Sequence, residues 1–599
     1  MKYKSYILHI CICLCMLAGA GEILAQNSIT VNGTVKDSAG EPLIGAVVMV
    51  ENTTIGTVTD IDGKYSITFA LKNGKTPALT FSSISYETKT VSVSGRRTID
   101  VVLEEDKEEL EEVVVVGYGA MRKSDITGSV TSVKIDETQA AQSSSIDQLL
   151  QGQAAGVQVV SNSAAPDGGV SVLIRGASSF NSDSQPLYVV DGVIMNTSGA
   201  ISMGTHGGNE SGVVEDNNGL LGLNPQDIAS MEILKDASAT AIYGSLGANG
   251  VVLITTKSAS SSKPSIIFTA GVSLCHAYRK YDLMDADDYV KYLDMKGIEP
   301  TNSNYTIYTK SVENGTYKPV DWQDYTMRLG FSQRYYLTVE GRPKNTNYRL
   351  SIGYSDNDGI IRQTGYKNLF SRITLDRTIG KFKIGTNTSF SWLNSNLTQG
   401  AGGTIQQTPA TSLIMSMLMT RPVRRVVEYD DEGIEVDDEE TYLSGPDRWL
   451  SSYESKRTEF RVISSIKGEY KILPWLTFQS KFGFDYRSNE RSSFKSQRIN
   501  TQGTGANGSV SHQDRLGWNW DNLLLFNKKI KKHRVSGTLG QSASQSISRT
   551  QLVEGTNVVQ WKAMSGSLNS APYAWLTYGE GHNSLLSFFV RATYNFDER

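Results

Sequence analysis

From about Ser265 to the end of the chain, apolar and polar residues alternate with a period of two, and this periodicity constrains the fold more than any other feature. Tyr348, Leu350, Ile352 and Tyr354 fall on one face, with Arg349, Ser351, Gly353 and Ser355 on the other. Phe478, Phe482, Phe484 and Tyr486 likewise oppose Thr477, Gln479, Lys481, Gly483 and Asp485. Phe588, Val590, Ala592, Tyr594 and Phe596 oppose Ser587, Phe589, Arg591, Thr593 and Asn595. An apolar, aromatic-ended face backed by a polar one fits a membrane barrel with lipid outside and water inside. A soluble sandwich with its apolar face turned inward gives the same alternation, so the pattern by itself leaves both open.

The N-terminus favours the membrane. Met1-Lys2-Tyr3-Lys4 is basic, Ile7 to Ala20 is almost wholly apolar, and Ile23-Leu24-Ala25 ends on a small residue. This predicts a secretory signal peptide over residues 1–25 with cleavage at Ala25–Gln26. A lipoprotein signal fits less well, because Cys13-Leu14 rather than small residues precede Cys15. Cleavage removes Cys11, Cys13 and Cys15 and leaves Cys275, which is read as a small buried hydrophobe. The mature chain then has no internal disulfide, and packing and sheet hydrogen bonds must hold it. No later segment reaches the roughly 18 continuous apolar residues of a spanning helix. An exported membrane protein without such helices must close its sheet into a barrel, since lipid cannot satisfy open edges.

Bulk composition agrees. At 599 residues the chain is too long for one compact domain. Its 58 basic and 62 acidic residues nearly cancel, which argues against a nucleic-acid partner. Charged residues are only 20% and 55 glycines outnumber 14 prolines, a balance suited to a large β protein.

Residues 112–118 read Glu-Val-Val-Val-Val-Gly-Tyr and follow the acidic stretch from Glu104 to Glu111. Four β-branched residues in a charged surrounding predict a short extended segment without a strand partner of its own. Such a segment can extend another protein's sheet. Before it, Ile29 to Leu103 alternates short strands with turns at Asp37-Ser38-Ala39-Gly40, Asp60-Ile61-Asp62-Gly63 and Lys72-Asn73-Gly74. Ala46–Val50 and Tyr65–Phe69 are predicted strands of a small antiparallel sandwich. Asp60 and Asp62 are read as turn residues, because Lys64-Tyr65-Ser66 does not continue a calcium loop.

Ser143 to Lys257 reads as mixed α/β. Ile146–Leu150 is a predicted short helix, Val157–Val160 and Val170–Ile174 are strands, and Leu187–Val190 runs into the turn Asp191-Gly192. Asn224–Ile228 starts a helical turn and Met231–Leu234 follows as a strand. Ser238–Tyr243 is a helix closed by Gly244, and Gly250–Lys257 is the last strand.

Two resemblances rest on ordered motifs. Gly33-Thr34-Val35, Asp37, Gly40, Pro42-Leu43, Gly45-Ala46, Gly56-Thr57, Thr59-Asp60, Asp62-Gly63 and Tyr65, followed by Phe81–Tyr86, resemble the carboxypeptidase-regulatory-like domain, which implies a non-catalytic β-sandwich. Ile174-Arg175-Gly176, Pro186–Gly192, Ile228–Ala237, Ala241–Ser245 and Gly247–Val251 resemble the plug of SusC/RagA-type TonB-dependent outer-membrane transporters. That resemblance implies a TonB box at Glu112, Val113, Val114, Val115, Val116 and Gly117, and a plug lodged in an outer-membrane barrel. It also implies partners: TonB with its inner-membrane energising complex, a SusD-like surface lipoprotein, and an oligosaccharide or peptide cargo. The family carries an arginine where this chain has Leu246. In related transporters a plug arginine pairs with barrel carboxylates. Arg175 is the residue expected to make that plug–barrel lock here, and Leu246 cannot.

The expected organisation is therefore mainly β. It comprises a signal peptide at 1–25, a sandwich at 29–104, an acidic linker with the TonB box and lead-in at 105–142, a plug at 143–257 and an incomplete outer-membrane β-barrel at 264–599. Asn394–Thr458, with its acidic runs at Asp430–Glu432 and Asp437–Glu440, and Ser488–Arg515 are expected extracellular loops. Trp392 and Trp449 are either girdle and packing residues or platforms for a sugar. About ten barrel strands are legible against the 22 of plug-bearing transporters, so the reading expects an N-terminal fragment of a barrel.

An enzyme is not expected, nor is a cofactor or metal. Gly117–Ser124 lacks the glycine that precedes a phosphate-loop lysine, and His582 with Ser584 is a weak pairing. Active import is the leading reading. A signalling receptor, which usually adds an N-terminal signalling domain, and a non-transporting surface protein are the alternatives.

Overall fold

The computed structural model describes residues 28–596, except 38–39, 52, 54, 71–77, 84–85, 87, 104–112, 117–118, 123–128, 144, 162–163, 179–183, 196, 198–218, 221, 260, 299–316, 397–412, 426–444, 500–504 and 560. The signal peptide, the turn at 72–74 and the acidic runs at 430–440 lie outside the described residues. The chain divides into two compact units, Met1–Glu112 and Val113–Arg599.

The first unit is a two-sheet sandwich. Ser28–Asp37 lies between Lys64–Ala70 and Val101–Leu103 in one sheet; Val47–Val50 and Ala78–Ser82 lie between Gly56–Val58 and Lys89–Ser92 in the other. All pairs are antiparallel except Ser28–Asp37 with Val101–Leu103, which run parallel. Alternate residues point inward to a core of Val31, Val35, Val48, Val50, Ile67, Phe69, Leu79 and Phe81. Asp60 behaves as a turn residue: its Oδ1 accepts from the Asp62 and Lys64 amides at 3.0 and 2.8 Å.

Gly33 is fixed by close approach. A Cβ there would stand 1.9 Å from the Ile99 carbonyl oxygen, the same atom that accepts the Tyr65 hydroxyl at 2.8 Å. Gly33→Ala should therefore cost the N-terminal unit about 1–3 kcal/mol in a urea unfolding titration. Burial, reinforced by the Asp100 carboxylate, pushes the Tyr65 hydroxyl up to about 12. The sign follows: its stabilising contribution is complete below the ordinary value of 10 and is lost as pH rises through about 12. Tyrosinate absorbance should show one tyrosine of this unit ionising late, together with loss of fold.

In the second unit the plug is a five-stranded sheet in the order Val130–Lys134, Ile228–Leu234, Val251–Thr256, Leu187–Val190, Val193–Ile194, with a separate hairpin of Val157–Ser161 and Val170–Ile174. Val130–Lys134 pairs along its length with Ile228–Leu234, so the plug sheet starts well before the expected boundary at residue 143. The helix Glu137–Gln142, capped by Asp136, also precedes that boundary. Polar Thr131, Ser132 and Lys134 hid this edge strand from the hydrophobic pattern. Ile146, Leu150, Val172, Met231, Ile233, Val252 and Ile254 form the buried core.

Ten antiparallel strands make the wall: Ser265–Cys275, Gly330–Gly341, Thr346–Asp358, Gly365–Ile379, Phe382–Asn396, Tyr453–Leu473, Leu476–Lys495, Asn507–Ile530, His533–Thr556 and Tyr573–Phe596, each paired with its sequence neighbour. At one end the connections are tight, as at 380–381, 474–475 and 531–532. At the other they are long, as at 276–329 and 397–452. That asymmetry matches short turns on one side of a membrane and long loops on the other. The expected loop Ser488–Arg515 is mostly strand, because two strands run past it and leave only 496–506 as the connection. Strands of 20 to 24 residues exceed the roughly 9–11 needed to cross a bilayer, so they project beyond it.

The two faces settle which way the alternation points. Leu350, Ile352, Ile373, Leu375, Phe478, Phe482, Trp520 and Leu539 are exposed on the outside. Arg349, Ser351, Arg372, Thr374, Arg461, Asp485, Arg487, Asn519 and Asp521 are buried on the inside. Apolar outside and polar inside is the arrangement for a wall facing hydrocarbon. No described helix is long and apolar enough to cross a membrane.

The long loops fold. Tyr317–Pro319 pairs with Val423–Arg425, and the indole of Trp322 donates to the Arg421 carbonyl at 2.6 Å. Trp449 is 1% exposed, packed with Leu413 and Ile499, so it is not a platform for sugar; Trp392 faces outward. Cys275, at the end of the first wall strand, is exposed rather than buried.

Candidate functional site

Two arrangements are candidates for function: the valine segment leading into the plug, and the contacts by which the wall holds the plug. Val113–Val116 is a strand, as its β-branched run predicts, but it is not partnerless. It pairs antiparallel with Gly119–Arg122, Val113 opposite Arg122 and Val116 opposite Gly119. This two-stranded hairpin leaves one edge of the valine strand outside any sheet among the described residues. Glu112 and Gly117 lie outside the described residues.

Just downstream of the hairpin, Ser129 is tied to Asp236 of the plug. The Asp236 Oδ2 accepts from the Ser129 amide at 2.6 Å, and its Oδ1 caps the helix Ala237–Thr240 through the Ala239 amide at 2.9 Å. These backbone bonds, that from Ser129 foremost, hold its carboxyl below the usual value of 3.8. A depressed acid stabilises above its unfolded value and stops doing so as pH falls through the folded one. The protection factor of the Ser129 amide, its exchange rate relative to an unstructured amide at the same pH, should accordingly be large at neutral pH and fall on acidification below 3.8. In Asp236→Asn protection should be small throughout.

Among the described residues Arg175 makes no tie to the wall. It is exposed, at φ 59° in a turn, and the carboxylate in its field is Asp236 of the plug itself. Leu246 is 41% exposed, and the ties holding the plug do not pass through it. The polarity is reversed: the plug supplies acceptors and the wall supplies the cations.

Asp191 is the centre of the first tie. Asp191 and Gly192, at φ 47° and 77°, make the two-residue turn between Leu187–Val190 and Val193–Ile194. Asp tolerates that conformation, and the turn lifts its carboxylate off the sheet. Oδ2 accepts from Arg372 Nη2 at 2.8 Å and from the Thr256 hydroxyl at 2.7 Å, and also from Asn387 Nδ2. The Lys481 ammonium donates to the Asp191 carbonyl. Gly192 is favoured by its positive φ, and a Cβ there would displace the Lys481 ammonium from its place 1.9 Å away. Asn519 Nδ2 donates to the Gly192 carbonyl at 3.0 Å.

A second tie is Asp227, which accepts from the Tyr336 hydroxyl at 2.5 Å and from Ser351 at 3.0 and 3.2 Å, with Arg349 Nε 3.9 Å away. A third is Arg461: it grips Asp485 through Nε and Nη2 at 2.8 and 2.7 Å and donates from Nη1 to the plug carbonyl of Gly219 at 2.5 Å. Arg334 donates to the Ala141 and Ser143 carbonyls at 3.1 and 3.0 Å, and Arg457 stands 3.8 Å from Asp167. Sequence reading placed Arg349 and Lys481 on the polar face but gave them no partner, and treated Asp191 only as a turn residue. Period two tells which way a residue points; the plug group it meets comes from more than a hundred residues away.

Comparison with known proteins agrees with the layers of the fold. The CarboxypepD_reg-like domain matches residues 31–115 and the TonB-dependent Receptor Plug Domain matches residues 122–251. The chain is 29% identical to the TonB-dependent receptor SusC of Bacteroides thetaiotaomicron over 95% of its own length and 55% of that protein's. It is 32% identical to the TonB-dependent receptor P3 of Formosa agariphila over 96% and 54%. It thus spans about half the length of the relatives it matches. Among solved structures, the RagAB peptide importer in its open-open state aligns with a TM-score of 0.64 at 23% identity, covering 81% of this chain and 55% of that one, which shows the shared fold.

Proposed function

We propose, from the premise that this chain is a homologue of the SusC-type TonB-dependent receptors, that it supplies the plug, the docking strand and part of the barrel of an active importer in a bacterial outer membrane. The observation that carries this reading is the inside-out wall: its apolar face is exposed, and its polar face is joined by buried charge to a plug entered through a valine strand. A pore held shut by polar ties needs work to open. The edge of Val113–Val116 that is unpaired among the described residues offers a partner a strand to add to, which is the way TonB would take hold and pull. The cargo is an oligosaccharide or a peptide, delivered by a SusD-like lipoprotein over the long-loop end. Both free edges of the ten-stranded wall, on Ser265–Cys275 and Tyr573–Phe596, must be paired for it to stand in hydrocarbon.

The test is energy dependence. In cells making the full-length protein, a protonophore should stop accumulation of labelled cargo and leave surface binding intact. Accumulation that continues without a proton gradient would overturn the proposal.

A further inference from the structure

Three neighbouring wall strands, Tyr453–Leu473, Leu476–Lys495 and Asn507–Ile530, carry a block of nine inward positions. Its rows, read across the sheet, are Arg457–Arg491–Ser511, Glu459–Asn489–Gln513 and Arg461–Arg487–Arg515. Arginines stand directly opposite one another in two of the three rows, an arrangement that repels unless anions sit among them. Three carboxylates face the five guanidiniums. Glu459 accepts from Arg487 at 2.7 Å and from Arg457; Asp485 is held by Arg461; Asp167 reaches over from the plug, 3.8 Å from Arg457. Glu554 is one row higher on the following strand. Even with Glu554 counted, the positive charge of the block exceeds the negative among the described residues.

The middle of the block is under-filled. Asn489 is 2% exposed, and neither its Nδ2 nor its Oδ1 has a hydrogen-bond partner. Arg457 is 1% exposed; its Nε has no hydrogen-bond partner, and its Nη1 and the Oδ2 of Asp167 face one another at 3.8 Å, too far for a hydrogen bond. Buried polar atoms left so carry a desolvation cost that a bound group would remove. We propose that this block is an oxyanion subsite in the lumen wall, and that the cargo carries carboxylate or sulfate groups which it receives. Asp167 stands in for such a group while the plug is seated. Moving the plug withdraws Asp167 and presents Arg457 and its neighbours to an anion in transit. The cargo half of this proposal rests on the import reading above; the subsite itself does not.

The test has two arms on the full-length protein. In detergent, tryptophan-monitored melting is compared in sodium sulfate and in sodium chloride at equal ionic strength. Wild type should be stabilised selectively by sulfate. Asn489→Asp, which installs the missing negative charge, should bind sulfate about tenfold or more weakly and melt higher without it. Arg515→Gln, on the half-buried rim, keeps the arm readable if the first variant does not assemble, and should weaken sulfate by a similar factor. Equal response of wild type and both variants overturns the subsite. In cells, uptake of a galacturonate trimer is compared with that of a neutral galactose trimer. Preference for the acidic trimer, lost in Asn489→Asp, assigns the subsite to cargo; selective sulfate binding with no preference overturns that assignment and leaves a site for inorganic anions. Absence of any uptake points to failure of the import reading, while the melting arm still decides the subsite.

Discussion

Deleting Val113–Val116 should reduce cargo accumulation to background while the protein remains folded and displayed at the cell surface. The segment lies in a two-stranded hairpin ahead of the plug sheet, so its removal leaves the tie from Ser129 to Asp236 and the core around Met231 and Ile233 in place. An isolated two-stranded hairpin is marginally stable in water. Gly119–Arg122 therefore holds Val113–Val116 loosely enough for exchange with a partner's strand, and the open edge gives that partner a place to start. The measurement pairs uptake of labelled cargo with surface labelling of the loops. Uptake at the wild-type level from the deletion variant would defeat the view that work enters here. Val114→Pro, which removes one backbone donor, should give a partial loss.

The second large effect is expected at Asp191. Its carboxylate joins Arg372 on the wall to Thr256 in the plug, and Arg372 is 5% exposed. Asp191→Ala leaves that guanidinium buried without its carboxylate, at a cost of about 3–5 kcal/mol. The burden falls on plug seating, because the wall strands keep their own ladder of hydrogen bonds. The variant should admit large hydrophilic antibiotics such as vancomycin and lose several degrees of melting temperature. Arg372→Ala on top of Asp191→Ala should restore part of both, since the stranded charge is then gone. If the double variant is worse than the sum of its parts, the pair is not the tie.

The extent of the sequence's information follows from what each signal is made of. The period-two faces around Leu350 and Phe478 were legible because a strand sends neighbouring residues to opposite sides, whatever the chain does elsewhere. The turns at Asp60 and Asp191-Gly192 were legible because their chemistry is local. The edge strand Val130–Lys134 was missed because it is polar and takes its strand character from Ile228–Leu234. Cys275 was misjudged because burial of a small apolar residue depends on what covers it, and Trp449 was left open for the same reason. The resemblance points to Arg175 for the lock, whereas among the described residues the ties run from wall residues such as Arg372 and Arg461 to plug acceptors, which no local pattern announces.

By itself, then, the sequence determined the kinds of layer in this protein: a small sandwich, an α/β plug, and a sheet with one apolar and one polar side. Composition and periodicity act residue by residue along the chain and need no partner. Only the tertiary structure decided that the apolar side faces out, that the valine strand has a neighbour, and that wall cations hold plug carboxylates. Those are pairings between groups far apart in sequence, and Coulomb attraction and burial depend on distances in space that spacing along the chain does not encode.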